Sequence, residues 1–437
     1  MRALVAVASL NSGGGIESAL MNFLRSLRHP DVQVDVCVFD TPDGDLIPAV
    51  EALGCRVWHC PLYKNPLKFV AQFEAALRRQ GRYDVIHNHA GDFAGPMLTA
   101  ARRIGIPVRI AHYHNVSAGH RNDWKRRAYH AWIRRYVLRD ATAIVGCSWA
   151  ALKSWFPREW ATDSRMCVVR CGIDLDRFSA PADGGAVRRS LGIPDDAAVI
   201  GHVGRFVWQK NHLGLIEAAQ RVVAERPDVR FLLVGAGPLE AQARARVAEL
   251  GLQERVIFAG QQADVAPYLA AMDAFTLPSV SEGFGLAAVE AQCAGVPVAV
   301  SRLPGPLEAA APALLRYAFA ASNADEMAES LLMLLDDAAR LPALRRAARL
   351  HAARFGLDAT TDQLLSVWGY ETATVAERVA VPATETEAAA AAGESVAETA
   401  SAGAVAQPAG GFAPPAPAPA PAAAAPPTAT RPRRAAA

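Results

Sequence analysis

Ser279-Val280-Ser281-Glu282-Gly283-Phe284-Gly285-Leu286-Ala287-Ala288-Val289-Glu290-Ala291 sets two glutamates eight residues apart around a glycine-punctuated loop. The apolar residues before it, Ala274, Phe275 and Leu277, read as a short buried strand. A helix is expected from about Gly285 through Cys293, closed by Gly295 with Pro297 just beyond. Glu282 then stands in the loop at the helix mouth, and Glu290 about a turn and a half inside. A helix mouth carries free N–H groups and a partial positive charge, so it can hold a phosphate. Carboxylates in front of that mouth and behind it can take hydroxyl groups on either side of the phosphate. A nucleotide sugar has that layout. Strand, loop and helix with these residue types also occur in α/β proteins of many kinds, so the stretch decides the local fold and leaves the ligand open.

The same order repeats outward from this stretch. Apolar runs at 3–8, 34–39, 57–59, 85–87, 108–111 and 143–147 read as strands, with a helix from about Ile16 to Leu27 after the first. A second series follows Asp174, at 199–203, 230–234, 256–258, 274–277 and 297–300. Alternation of this kind argues for an α/β fold with parallel, doubly wound sheets. Two series imply two Rossmann-like domains facing a cleft, residues 1–175 and 176–360, hinged between Cys171 and Pro181. A C-terminal helix is expected over 361–376. From 377 to 437 Ala, Pro, Glu, Thr and Gly take over, a composition that cannot bury a core and reads as a disordered tail.

Bulk properties narrow the class. A chain of 437 residues with 51% hydrophobic and 20% charged residues has ample core for two domains. A net charge of +2 gives no pull toward nucleic acid. The seven cysteines are scattered and form no C-x-x-C pair, which argues against a zinc site and for a reducing cytoplasm. Met1–Ser9 reads as a buried strand rather than a signal peptide, because its apolar run is short. No stretch reaches the ~18 apolar residues of a membrane span.

Other segments carry candidate chemistry. Asn11-Ser12-Gly13-Gly14-Gly15-Ile16-Glu17 lets the backbone approach a ligand, or is simply a permissive turn; it matches neither the Walker pattern nor G-x-G-x-x-G. Gly204-Arg205-Phe206-Val207-Trp208-Gln209-Lys210 places two cations on one loop, as a diphosphate clamp or as a solvated basic loop. Val234-Gly235-Ala236-Gly237-Pro238 lacks the third glycine of a dinucleotide fingerprint. The strand at 256–258 ends in Ala259-Gly260 rather than an acidic residue. Both departures argue against an NAD-dependent oxidoreductase. Histidines crowd two strand ends, His87-Asn88-His89 and His112-Tyr113-His114-Asn115. They could gather a metal, but no zinc-motif spacing appears, and adjacent strand ends favour a site for an acceptor or a reacting centre. Residues 124–139 read as a basic helix in which Trp124, Ala128, Trp132 and Tyr136 share a face; Arg126, Arg127, Arg134 and Arg135 suit an anionic membrane surface or a plain solvated side.

Taken together these motifs resemble the family-4 retaining glycosyltransferases of the GT-B fold over about residues 1–370. The strongest parts are Glu282-Gly283-Phe284-Gly285 with Glu290-Ala291, Gly204-Arg205 with Lys210-Asn211, Val234–Gly237, and Cys171-Gly172-Ile173-Asp174 with Arg177-Phe178. The runs His112–Asn115 and Gly13–Gly15 look like the capsule and exopolysaccharide subgroup. The resemblance implies that Arg205 and Lys210 hold a donor diphosphate, Glu282 the donor sugar hydroxyls and Glu290 the ribose. It implies that backbone near Phe258 to Gly260 meets the base, and that His114 contacts the sugar near the anomeric carbon. Gly14, Gly15, Gly204, Gly235, Gly283, Phe284, Gly285 and Leu286 complete the donor side, with His87, His89 and His112 as acceptor-side candidates. Cys171 stands where the family usually has Asn, at a position that is structural there. The implied reaction moves a sugar from a nucleotide-diphosphate donor, UDP favoured, to a glycan, lipid-linked or other hydroxyl acceptor with retained configuration. It needs no essential metal or cofactor, and the leaving phosphate helps deprotonate the acceptor. The expected location is the cytoplasm, peripheral on the inner face of the plasma membrane. The competing readings are a nucleotide-sugar epimerase of the same fold and a non-catalytic nucleotide-sugar-binding module.

Overall fold

The computed structural model describes residues 1–370 except 41, 62–64 and 117–123, together with the backbone but not the side chains of 66, 67, 92 and 124–127. The tail expected beyond 377, and Arg126 and Arg127 of the basic helix, lie outside what it describes.

Each half is a parallel sheet. The first holds β1 (Arg2–Val7), β2 (Gln33–Val38), β3 (Arg56–His59), β4 (Val85–Asn88), β5 (Val108–Tyr113), β6 (Ala143–Gly146) and β7 (Met166–Val168), in the order β3-β2-β1-β4-β5-β6-β7. The second holds β8 (Val199–Val203), β9 (Arg230–Val234), β10 (Val256–Gly260), β11 (Ala274–Leu277) and β12 (Val298–Val300), in the order β10-β9-β8-β11-β12. The strands of the first half read as near-continuous apolar runs because both faces are covered by helices; Ala3, Leu4, Val5 and Ala6 of β1 are fully buried. All eleven strands expected from sequence are present. The one missed is β7, whose three residues sit between polar turns with only Met166 buried.

Strand order reverses between β1 and β4 in one sheet and between β8 and β11 in the other. Loops after these strands diverge to opposite faces and leave a crevice at the carboxyl ends, where doubly wound sheets bind ligands. The glycine loop follows β1, His87–His89 end β4, the Arg205–Lys210 loop follows β8, and Glu282 follows β11.

The chain crosses between the halves twice. Ile173 pairs with Gly356 as a parallel bridge, its N–H donating to the Phe355 carbonyl at 2.8 Å. The helix Leu357–Val367 then returns to the first half, starting earlier and ending sooner than expected. It lies against the helix Gly15–Ser26 through Ser26 and Thr361, whose hydroxyls are 2.5 Å apart, and through Phe23 edge-on to Trp368 at 5.3 Å.

In the helix Trp124–Asp140 the rings of Trp132 and Tyr136 lie together at 4.7 Å on one side, as the spacing implies. Among its described side chains the buried stripe runs through Ile133 and Val137, against Gly95 of the neighbouring helix. Trp132 and Tyr136 flank that stripe half-buried, and Ala128 is exposed. Tyr136 shares the contact at Gly95 with Ile133, its Cβ standing 3.1 Å from where a side chain at Gly95 would begin. Among the described residues no helix is long and apolar enough to cross a membrane.

Candidate active site

The opening stretch folds as read. The helix runs Leu286–Cys293 with Gly285 as N-cap at φ +116, a left-handed conformation that favours glycine. Gly283 is glycine for a different reason. A Cβ there would stand 1.9 Å from the backbone oxygen of His114. The loop of the second half therefore touches the end of β5 in the first half, backbone to backbone.

That contact is fastened from both sides. The hydroxyl of Ser148 donates to the Gly283 carbonyl at 2.5 Å and accepts from the Ala151 N–H at 3.0 Å, so one serine caps a helix and crosses the cleft. Glu308 accepts from the N–H groups of Trp149 and Ala150 at 3.3 and 3.1 Å. On the far side Gln261, just after β10, donates to the Ser12 hydroxyl at 3.0 Å, bringing the Gly13–Gly15 loop over the second sheet. Sequence reading missed Ser148, Glu308 and Gln261; only the N-cap pattern at Ser148 carried a local signal.

Lys210 and Glu282 meet. Lys210 lies in a single helical turn, Trp208–Lys210, and its Nζ donates to Glu282 Oε2 at 2.5 Å. The Ser279 hydroxyl donates to the same oxygen at 3.1 Å. Arg205, on the same loop, is exposed and makes no ion pair among the described residues. A cation neutralised by a carboxylate thus stands beside a cation free to take an anion.

Glu290 is half-buried inside the helix; its backbone carbonyl accepts from the Ala294 N–H at 3.0 Å, while its carboxyl accepts no hydrogen bond among the described residues. Loss of hydration lifts its carboxyl to about 7, against the opposing pull of Arg177 and Lys210. It can therefore either donate to or accept from a hydroxyl near neutrality. Phe258 lies half-buried between the Phe206 ring at 5.8 Å and the Arg244 guanidinium at 4.2 Å, an apolar shelf beside the β10 end. Gly204, Gly235 and Gly260 bond to one another's strands there: Gly204 N–H to the Val234 carbonyl at 2.9 Å and Gly235 N–H to the Gly260 carbonyl at 2.8 Å. Gly14 and Gly15 open the first helix, with Gly14 as N-cap. Phe284 is buried at 3% exposure and serves packing, while Leu286 is half-buried.

The four histidines form one stack. His112 and His114 lie face to face at 4.0 Å, His87 and His112 at 5.2 Å, and His89 and His114 at 4.9 Å. Ring nitrogens bond across the stack, His87 Nε2 to His112 Nδ1 at 3.1 Å and His89 Nδ1 to His114 Nε2 at 2.7 Å. Burial holds all four neutral: His87 is pushed down to about 3, His114 to about 4, and His89 and His112 fall well below the usual imidazole range. His87, His89 and His112 each bring a ring nitrogen within 4.8 Å of the others, the one such group among the described residues that could hold a metal. The Cys171 Sγ lies 3.8 Å from His114 Nδ1, and burial raises its thiol to about 12. The cysteine at the hinge thus faces the candidate reacting histidine, while the Cys147 thiol donates to the His114 carbonyl at 3.3 Å.

Comparison with known proteins fits this architecture half by half. Residues 14–172 match the model of the glycosyl transferase 4-like domain, and residues 185–351 match that of glycosyl transferases group 1. The chain is 30% identical to a putative glycosyltransferase, EpsF, of Bacillus subtilis, over 69% of this chain and 79% of that one. The chain belongs to the GT-B glycosyltransferases. It is also 30% identical to a D-inositol 3-phosphate glycosyltransferase of Thermobispora bispora, over 81% of this chain and 89% of the relative. Among solved structures, HepE of Anabaena in complex with UDP and glucose superposes with a TM-score of 0.71 at 21% identity, covering 84% of this chain and 99% of that one. The two family models divide where β7 ends and β8 has yet to begin, so this glycosyltransferase carries its two sheets as two family modules, and it is an enzyme of hexosyl-transferring type.

Proposed function

We propose that this glycosyltransferase moves a hexose from a nucleoside-diphosphate donor, UDP favoured, to a hydroxyl of a glycan or lipid-linked acceptor with retention of configuration, in the synthesis of a bacterial surface polysaccharide. The observation that carries the reading is the meeting of Lys210 and Glu282 across the β8–β11 switch point, beside Arg205 and in front of the helix at Leu286. A diphosphate entering between Arg205, Lys210 and the helix mouth gains charge-assisted hydrogen bonds from each, and loss of the leaving group is eased by the same charges. Glu282, released from Lys210, accepts from the sugar hydroxyls. Glu290 takes the ribose, and the Phe258–Gly260 shelf takes the base. His114 stands across from Gly283 at the sugar. The neutral state of its ring suits a donor or acceptor of hydrogen bonds rather than a fixed cation. The departing phosphate is then the proton's destination. The UDP preference is supported by the complex in which HepE was solved.

A thermal-shift panel of nucleotide sugars tests the donor. A donor at ~100 times its Kd adds about 2.7 kcal/mol of stability; no shift with any UDP- or GDP-sugar contradicts the reading. We further propose that Arg134 and Arg135, with Arg126 and Arg127, face an anionic membrane. Flotation with anionic vesicles should weaken when they are neutralised, and a wild-type protein that never floats contradicts it.

A further inference from the structure

The histidine stack has a direction that its hydrogen bonds impose. The indole Nε1 of Trp368 lies 3.1 Å from His87 Nδ1. An indole N–H can only donate, so His87 Nδ1 must be the lone-pair nitrogen. A neutral His87 then carries its proton on Nε2, which lies 3.1 Å from His112 Nδ1 and must donate to it. His112, also neutral, is left with its proton on Nε2. That atom is buried and has no hydrogen-bond partner among the described residues, in a side chain only 3% exposed.

His87, His89, His112 and His114 line a small cavity of about 20 Å³ together with Cys171 and Thr361, room for one water or one ligand oxygen. His112 also stacks on His114 at 4.0 Å with the rings 28° apart, so the plane of one ring fixes that of the other. Trp368 itself is held rigidly, 2% exposed, edge-on to Phe23 and perpendicular to His87. The same chain of donors opposes a metal at this group. To ligate through Nε2, His87 would need a proton on Nδ1, the nitrogen at which the indole already points.

We propose that Trp368 is a positioning residue for the reaction centre: its indole N–H fixes the tautomers of His87 and His112 and leaves the His112 Nε2–H as a standing donor to an oxygen beside His114. The part played in transfer rests on the function proposed above; the tautomers do not. The returning helix Leu357–Val367 thereby ties the end of the fold to the acceptor side of the cleft, 281 residues away in sequence.

Nitrogen-15 NMR of the imidazoles at pH 7.5 reads the tautomers directly. Wild type should show His87 and His112 both protonated on Nε2 and bare on Nδ1. In Trp368→Phe, which keeps a buried aromatic ring but removes the indole donor with its five-membered ring, both should lose their single tautomer. There kcat should fall roughly tenfold through misplacement at the reacting centre, with KM for the donor sugar nearly unchanged. A proton on His87 Nδ1 in wild type overturns the proposal, as does a stoichiometric bound metal found by elemental analysis. So does a Trp368→Phe variant that keeps both tautomers or full kcat. If wild type transfers no sugar at all, the functional reading fails, and the wild-type and variant tautomers still judge the hydrogen-bond chain on their own.

Discussion

Lys210 and Glu282 lie 72 positions apart and meet at 2.5 Å, each partly open to solvent at 23% and 16% exposure. A pair this accessible contributes about 1 kcal/mol or less to stability. On the function proposed above, its weight falls on the donor instead. Lys210→Ala and Glu282→Ala should each lower transfer by ~10²-fold or more, the scale of losing one preorganised charge at a developing anion. Their unfolding midpoints should stay close to wild type. Steady-state transfer assays alongside urea denaturation check this, and wild-type rates in both variants contradict the site. Lys210 and Glu282 could be singled out in the sequence because both stand in polar loops directly after apolar strands. Trp368 could not: nothing local distinguishes a tryptophan that closes a helix from one that donates to a histidine in another half. Ser148, Glu308 and Gln261 escaped for the same reason, since each acts through a partner more than 130 positions away.

At the scale of elements, periodicity and turn residues located the strands, because parallel strands buried on both faces leave long apolar runs between glycines. β7 escaped with three residues and one buried side chain. The destination of the last helix was invisible, because its packing partner is the first helix of the chain. The glycine at 283 was read as a loop former, whereas its place is set by the approach of the β5 end. Gly283→Ala puts a methyl against the His114 carbonyl at 1.9 Å and must displace one loop or the other. Overpacking of this kind costs about 1–3 kcal/mol. The variant should unfold at lower denaturant and lose transfer, since the shift moves Glu282 away from His114. Unchanged stability and activity contradict the closed contact.

At the scale of the molecule, the buried imidazoles set a pH limit. Each binds its proton more weakly folded than unfolded, so the unfolded chain takes up more protons as pH falls below about 6.5. Stability contributed by the neutral rings is full above that value and is lost progressively as pH falls toward 4, where His114 and His202 begin to titrate in the fold. Glu290 works in the opposite sense: its raised carboxyl stabilises below 4.5 and loses that contribution as pH rises through about 7. One carboxyl stands against several rings, so the balance follows the histidines. Urea unfolding at pH 5.5 should show a loss of roughly 1.4 kcal/mol for each ring concerned relative to pH 7; a flat profile contradicts the neutral stack.

The whole arrangement gathers Arg205, Lys210, Glu282 and the histidine stack at the switch points of the two sheets, and we propose that it transfers a sugar with retention. The most direct measurement is the anomeric configuration of the product, read by proton NMR after incubation with an α-linked UDP-hexose and a hydroxyl acceptor. UDP release should be matched by a new α-glycosidic bond. A β-linked product, an epimerised sugar nucleotide, or tight donor binding without turnover would contradict the proposal.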